Sequence, residues 1–193
     1  MAISLRLAAP PGDDEILDLS RRNPGFQFER SAAGELIVTP TGSEGGRRDL
    51  ELGAQLHAWA KADGSGIAFG SAAGFRLPDG SLLSPDASWM RRERWEALSR
   101  EQRAGFAPLC PDAVFEIASE SDSLPLLRNK MRAYLANGAR LAVLIDPQRK
   151  MIEVHLPDRD AQIYNAPRSV SLDPVLRGFV ADLTLIFGET MQG

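Results

Sequence analysis

An α/β (α+β) fold, with a mixed central β-sheet flanked by helices, is predicted by three features of this 193-residue chain. Leu141-Ala142-Val143-Leu144-Ile145 is an unbroken apolar run of strand length, the pattern of a strand covered on both faces. Leu52, Leu56, Trp59 and Ala60 recur at i, i+4, i+7 and i+8, which is one face of a helix. Leu127, Met131, Tyr134 and Leu135 form a second such face, between the strand-like segments 113–118 and 141–145. Helices interleaved with strands in this order pack against the sheet the strands build.

The elements follow in order. Glu15 to Leu19 carry a short helical pattern after a start rich in Pro, Gly and acids. Segments 26–30 and 35–38 alternate like strands around the turn at Ala33-Gly34. The Gly-rich stretch from Thr39 to Gly46 opens the first long helix, and Asp63-Gly64-Ser65-Gly66 ends it. Short strand pieces follow at 67–69, 74–77 and 83–90, with turn residues Pro78-Asp79-Gly80-Ser81 between the last two. The charged stretch 91–103 reads as a helix, and 113–118 is the strongest strand core. Ser123 is placed to cap the next helix, Pro125 suits its first turn and Gly138 stops it. Segments 150–156 and 161–165 form a further hairpin, and 183–187 is an apolar tail.

Length and composition bound the function. The chain is expected to be a single domain over 1–193, its core at about 13–188. Apolar residues make up 44% and charged residues 25%, ordinary for a globular protein. The net charge of −4 argues against a broad basic surface for nucleic acid. One cysteine, Cys110, excludes an internal disulfide and a thiolate zinc site; with two histidines, His57 and His155, a His-rich metal site is excluded too. All three residues read as structural, or for a histidine exposed, rather than catalytic. No apolar run approaches a membrane span and no targeting pattern opens the chain, so a cytoplasmic protein with no membrane contact is expected. The motifs of dinucleotide folds, P-loop enzymes and α/β-hydrolases are absent.

The chemistry lies in carboxylates. In Ser84-Pro85-Asp86-Ala87-Ser88-Trp89, alternation puts Asp86, Ser88 and Met90 on one strand face. In Val114-Phe115-Glu116-Ile117-Ala118, Glu116 sits inside an apolar strand, costly unless it is paired, protonated or bound to a metal. Lys130 flanks the apolar face of the following helix, one of three lysines against nineteen arginines. Two acids on neighbouring strands can hold Mg²⁺ or Mn²⁺ through oxygen ligands. A nearby lysine can orient or deprotonate a water, or offset charge on phosphorus, which points to metal-assisted phosphodiester hydrolysis. The plainer alternative makes Glu116 a buried partner of Arg128 or Lys130, and Asp86 a turn acid.

The ordered set of Pro40 to Glu44, Leu77 to Ser81, Ser84-Pro85-Asp86, Pro111 to Ser119, Lys130 with Tyr134 and Gly138, and Leu144 to Pro147 resembles the Uma-type restriction endonuclease family of the PD-(D/E)xK nuclease superfamily. The resemblance runs from about residue 13 to 188 and implies a restriction-endonuclease-like core. It implies Asp86 and Glu116 as metal-binding acids, with the backbone carbonyl of Ile117 as a third ligand. The superfamily's lysine stands two places after the second acid, where this chain has Ala118; Lys130 is then the migrated replacement. An additional acid on the first core helix would be Glu44, with Glu51 the other choice. Arg47, Arg48, Arg91, Arg92 and Arg94 are the candidate DNA contacts, suited to phosphate. The expected activity is a Mg²⁺- or Mn²⁺-dependent endonuclease acting on DNA, as a homodimer where both strands are cut. The missing lysine at 118 leaves a rival: an inactive nuclease-fold module that binds DNA or protein.

Overall fold

Three sheets share the strands in the computed structural model, which describes residues 2–188. Strands β1 (Ile3–Leu5), β2 (Phe26–Arg30), β3 (Leu36–Pro40), β5 (Phe75–Arg76) and β6 (Leu82–Leu83) form a five-stranded sheet in the order β1-β3-β2-β6-β5. Strands β4 (Gly66–Gly70), β7 (Ala87–Arg91), β8 (Ala113–Ile117), β9 (Leu141–Asp146), β10 (Met151–His155) and β11 (Gln162–Asn165) form the central one, ordered β11-β10-β9-β8-β7-β4. Strands β12 (Ser169–Ser171) and β13 (Val180–Asp182) make a small ribbon. The helices are α1 (Asp13–Arg22), α2 (Ser43–Asp63), α3 (Arg92–Glu96), α4 (Arg100–Ala104) and α5 (Leu124–Ala136). The central sheet is mixed: β8 and β9 run parallel, with α5 as the crossover that parallel strands require, and its other pairs are antiparallel.

Both faces of this sheet are covered, which is why β9 reads as apolar throughout. Leu52, Leu56 and Ala60 of α2 pack on Ala87, Trp89, Phe115, Val143 and Ile145. Met131 and Tyr134 of α5 pack on Met90, Val114, Ala142 and Leu144. Ile16 of α1 covers Phe28, Leu36 and Leu82 of the other sheet. Gly64 and Gly138 end α2 and α5 at φ +75° and +103°, conformations that glycine adopts without a Cβ penalty. Among the described residues no helix is long and apolar enough to cross a membrane.

The structure departs from the sequence expectations in four places. Segment 83–90 is not one strand: β6 ends at Leu83 in one sheet and β7 starts at Ala87 in the other. Pro85, with no N–H to give a ladder, lies in the passage between them. Segment 91–103 is two short helices, because Ser99 and Gln102 form a capping box that starts α4 afresh. Ser123 precedes α5 without a side-chain capping bond. Strands β1, β12 and β13, three residues each, are too short for alternation to reveal.

Gly66 marks a close approach. A Cβ there would stand 2.3 Å from Trp89 Cε2 and 2.4 Å from the Met90 carbonyl oxygen. The second neighbour is backbone and cannot rotate away. Gly66→Ala is therefore expected to cost about 3 kcal/mol, read as a lowered midpoint in urea unfolding with an unchanged slope.

Candidate functional site

The passage at 84–86 places Asp86 at the start of β7, beside the end of β8, since Ala87 pairs with Phe115. Asp86 Oδ2 accepts a hydrogen bond from the Ile117 amide at 2.7 Å. Glu116 shares the α5-facing side of β8 with Val114, and there it meets α5. Tyr134 donates its hydroxyl to Glu116 Oε1 at 2.9 Å, and Lys130 Nζ lies 2.8 Å from the same oxygen. Lys130 and Tyr134 are one helical turn apart, so both reach the sheet from one face of α5.

A further acid comes from the other sheet. Glu29 on β2 is 4% exposed, and its Oε1 lies 2.9 Å from Lys130 Nζ. The same oxygen accepts the Ser84 amide at 2.6 Å. Gln27, two residues back and so on the same strand face, donates to the carbonyls of Ser84 and Ser71. The fourth acid is Asp49 of α2, hydrogen-bonded to the Ser71 side chain. One ammonium thus serves a region that gathers four carboxylates, Glu29, Asp49, Asp86 and Glu116.

That imbalance governs the protonation of the acids. Burial pushes Glu116 up to about 8, against the pull of Lys130, with the charges of Asp86 and Glu29 adding to the rise. Burial and the charge of Asp49 push Asp86 up to about 7, against the Ile117 amide and Lys130. Burial and Glu116 raise Asp49 to about 6. Burial alone would lower Lys130, but Glu116, Glu29 and Asp86 outweigh it and hold the ammonium above its usual range. The Tyr134 hydroxyl is raised well above its usual value, by burial first and then by the neighbouring acids.

These shifts set a pH dependence for the metal-free protein. The folded state holds protons on Asp49, Asp86 and Glu116 more tightly than the unfolded chain, whose carboxylates titrate near 4. Their contribution to stability is therefore complete below about pH 4 and is lost as pH rises through the values of about 6 to 8. The melting temperature in chelator is expected to fall between pH 5.5 and 8.5. In Glu116→Gln the fall shrinks, because one of the titrating groups is gone.

The donor set suits a hard cation. The clustered acids would offer carboxylate oxygens with no thiolate or imidazole among them, the donor type that Mg²⁺ and Mn²⁺ prefer. Lys130 and Tyr134 both engage Glu116 Oε1, and the Ile117 amide engages Asp86 Oδ2. Among the described residues, no three Asp, Glu, His or Cys side chains converge in metal-holding geometry.

The other sequence candidates are placed differently. Glu44 is exposed at the start of α2, 2.8 Å from Arg47 and 3.1 Å from Arg48. Glu51 accepts a hydrogen bond from Gln55. The α2 acid that meets the cluster is Asp49, about 140° around the helix from Glu44 at 100° per residue. Ile117 donates its amide to Asp86, which brings the backbone of this residue to the cluster. Arg91 and Arg92 lie at the far end of β7, about 16 Å from Asp86 along the strand. There Arg91 faces Glu93 and Arg92 faces Glu96. Arg94 pairs with Asp112 at 2.9 Å. Arg47 also donates to the Leu185 carbonyl, while the buried Nε of Arg48 has no hydrogen-bond partner among the described residues. Cys110 is buried in the α5 core, its thiol pushed up to about 12 by burial. His155 is tied to Glu153 at 3.1 Å.

Glu29 and Asp49 were not anticipated. Asp49 carried a signal: it precedes Leu52 and Leu56 by three and seven residues, so it continues the buried stripe of α2 by one turn. Glu29 carried none, because a polar residue on the alternate face of a hairpin strand is ordinary.

Comparison with known proteins bears on the fold and the family. No curated protein matches the sequence. The crystal structure of "a putative nuclease belonging to DUF820 from Anabaena variabilis ATCC 29413" superposes with a TM-score of 0.72 at 20% identity, over 92% of this chain and 98% of that one. It shows the same fold, with a mixed sheet flanked by helices. A cryoEM structure of a DrdV-DNA complex aligns with a TM-score of 0.36 and 14% identity, over 57% of this chain and 9% of that one. The sequence profile of the Uma2 family, described as "Putative restriction endonuclease", matches residues 13–185. With the profile running from α1 to beyond β13 and taking in all four clustered acids and Lys130, the chain belongs to the Uma2 family.

Proposed function

We propose that this protein is a metal-dependent nuclease whose site is the Asp49–Asp86–Glu116–Lys130 cluster, with DNA as its substrate. The observation that carries this reading is the excess of four gathered carboxylates over one ammonium, which a divalent cation offsets. The family and the fold of the Anabaena relative support it.

Asp86 and Glu116 would hold Mg²⁺ or Mn²⁺, and Asp49 stands near them as a further acid. The cation, when bound, supplies a Lewis acid for the phosphoryl oxygen and a lowered pKa for a bound water. The Ile117 amide fixes the Asp86 carboxylate, and Tyr134 fixes Glu116. In the metal-free protein the neighbouring acids hold Lys130 as an ammonium, which suits it to orient a water or to offset charge. It holds Glu116 and Glu29 in place and presents positive charge where the phosphate gains negative charge. Its place on α5 does the work of the lysine absent at position 118. One such site breaks one strand, so cutting both strands of a duplex takes two copies.

The test is conversion of supercoiled plasmid to nicked and linear forms with Mg²⁺ or Mn²⁺, beside a chelated control and calorimetry with Mn²⁺. Metal-dependent nicking together with metal binding supports the reading. Absence of both overturns it in favour of a non-catalytic binding module of the same fold.

A further inference from the structure

Between α2 and the edge strand β4 lies a cavity of about 530 Å³, within the size range of small-ligand sites. Asp49 stands on its wall, and so does Ser71, whose carbonyl is tied through Gln27 to Ser84, two residues from Asp86. The cavity therefore opens beside the acid cluster. Its other walls carry Leu50, which is 73% exposed, the exposed imidazole of His57, the half-buried Phe69, and Gly46, Gly53 and Gly70.

We propose that this cavity seats the unstacked nucleoside next to the phosphodiester that the acid cluster cleaves; this rests on the nuclease reading above. No Lys or Arg lines the cavity among the described residues, and its one carboxylate is Asp49. The cavity offers a phosphate no ammonium or guanidinium, whereas the His57 ring can stack on a base, so the part of a nucleic acid that fits it is the neutral sugar and base. Leu50 and Phe69 offer apolar surface to a base face, which is free for such contact only when the base leaves its stack.

The glycines give independent support. Gly46 and Gly53 lie inside α2, and a Cβ at either would meet nothing within 4 Å. Interior helix glycines are destabilising relative to alanine. Neither position has a positive φ or a close neighbour to require glycine. Their bare backbone is explained by something that approaches α2 from outside the chain.

The experiment compares wild type with Gly53→Leu and Gly53→Ala. Binding of a fluorescent single-stranded oligonucleotide is measured by anisotropy with Ca²⁺ in place of the catalytic metal. Hydrolysis of methyl 4-nitrophenyl phosphate, a diester with no nucleoside, is measured with Mn²⁺. Gly53→Leu is expected to weaken oligonucleotide binding tenfold or more and to leave small-diester hydrolysis unchanged. Gly53→Ala should raise the melting temperature by about 2 °C, showing that the fold does not need glycine there. Equal oligonucleotide binding by Gly53→Leu and wild type, or no binding by wild type, overturns the proposal. Binding lost in Gly53→Leu, with neither small-diester hydrolysis nor the plasmid nicking described above by wild type, sustains the cavity assignment and removes the nuclease reading.

Discussion

Asp86→Asn will lower metal-dependent strand cleavage about 10³-fold while the protein stays folded, a loss on the scale of removing a principal electrostatic group from an active site. The amide oxygen of asparagine still accepts the Ile117 N–H that Asp86 Oδ2 accepts now, so the local bond survives. What disappears is a negative charge beside Asp49 and Glu29. Two consequences separate this from misfolding. Mn²⁺ affinity falls at least about a hundredfold, as more is lost with a ligand than with its outer support. The melting temperature of the metal-free protein at pH 8 rises, because a repelled buried charge is gone. Nicking rate, calorimetry and thermal melting check the three parts. Cleavage within twofold of wild type would remove Asp86 from the chemistry.

Lys130→Met acts through both stability and activity. The methionine replaces the stem but leaves Glu29 and Glu116, each 6% exposed in its side chain, without the cation between them. Stranding buried charge in this way costs about 3–5 kcal/mol. The size of the loss depends on pH. Glu116 already holds its proton up to about 8 with Lys130 beside it, and without the ammonium it holds it higher still. At pH 5.5 Glu116 is neutral and the variant recovers part of its stability; at pH 8.5 the full cost appears. Urea unfolding at the two pH values reads this directly, and a pH-independent loss would show that the packing of the lysine stem matters and its charge does not. Cleavage at pH 7.5, measured on protein shown to be folded, is expected to vanish with it.

The central sheet and the two long helices were legible because their constraints are local and periodic. Segment 141–145 had to be covered on both faces, and α2 and α5 each display one apolar stripe at helical spacing. Glu116 was legible for the opposite reason: a carboxylate flanked by Val114, Phe115 and Ile117 contradicts its own strand. Lys130 stood out by rarity, and the structure brings its ammonium to the acid. The five-stranded sheet was only partly legible. Its pairing of Arg30 with Leu82 joins segments fifty residues apart and rests on one registered pair, which no periodicity signals. Glu44 and Glu51 were the acids considered on α2, a helix-start acid being easy to recognise, whereas the angle around α2 decides that Asp49 meets the cluster. The placement of Arg91 and Arg92 was hidden in a similar way. Clustering in sequence says nothing about which end of β7 they occupy, and Arg91 and Arg92 sit at the end away from Asp86.

The bond between Lys130 and Glu29 spans 101 residues of sequence. Contacts of that separation form late, since the intervening chain must be ordered before they are rewarded. A ribosome-bound chain that has emerged only to residue 120 carries all four acids and no ammonium to hold them. The cluster therefore gains its ammonium only when the first hairpin and the last long helix have found each other.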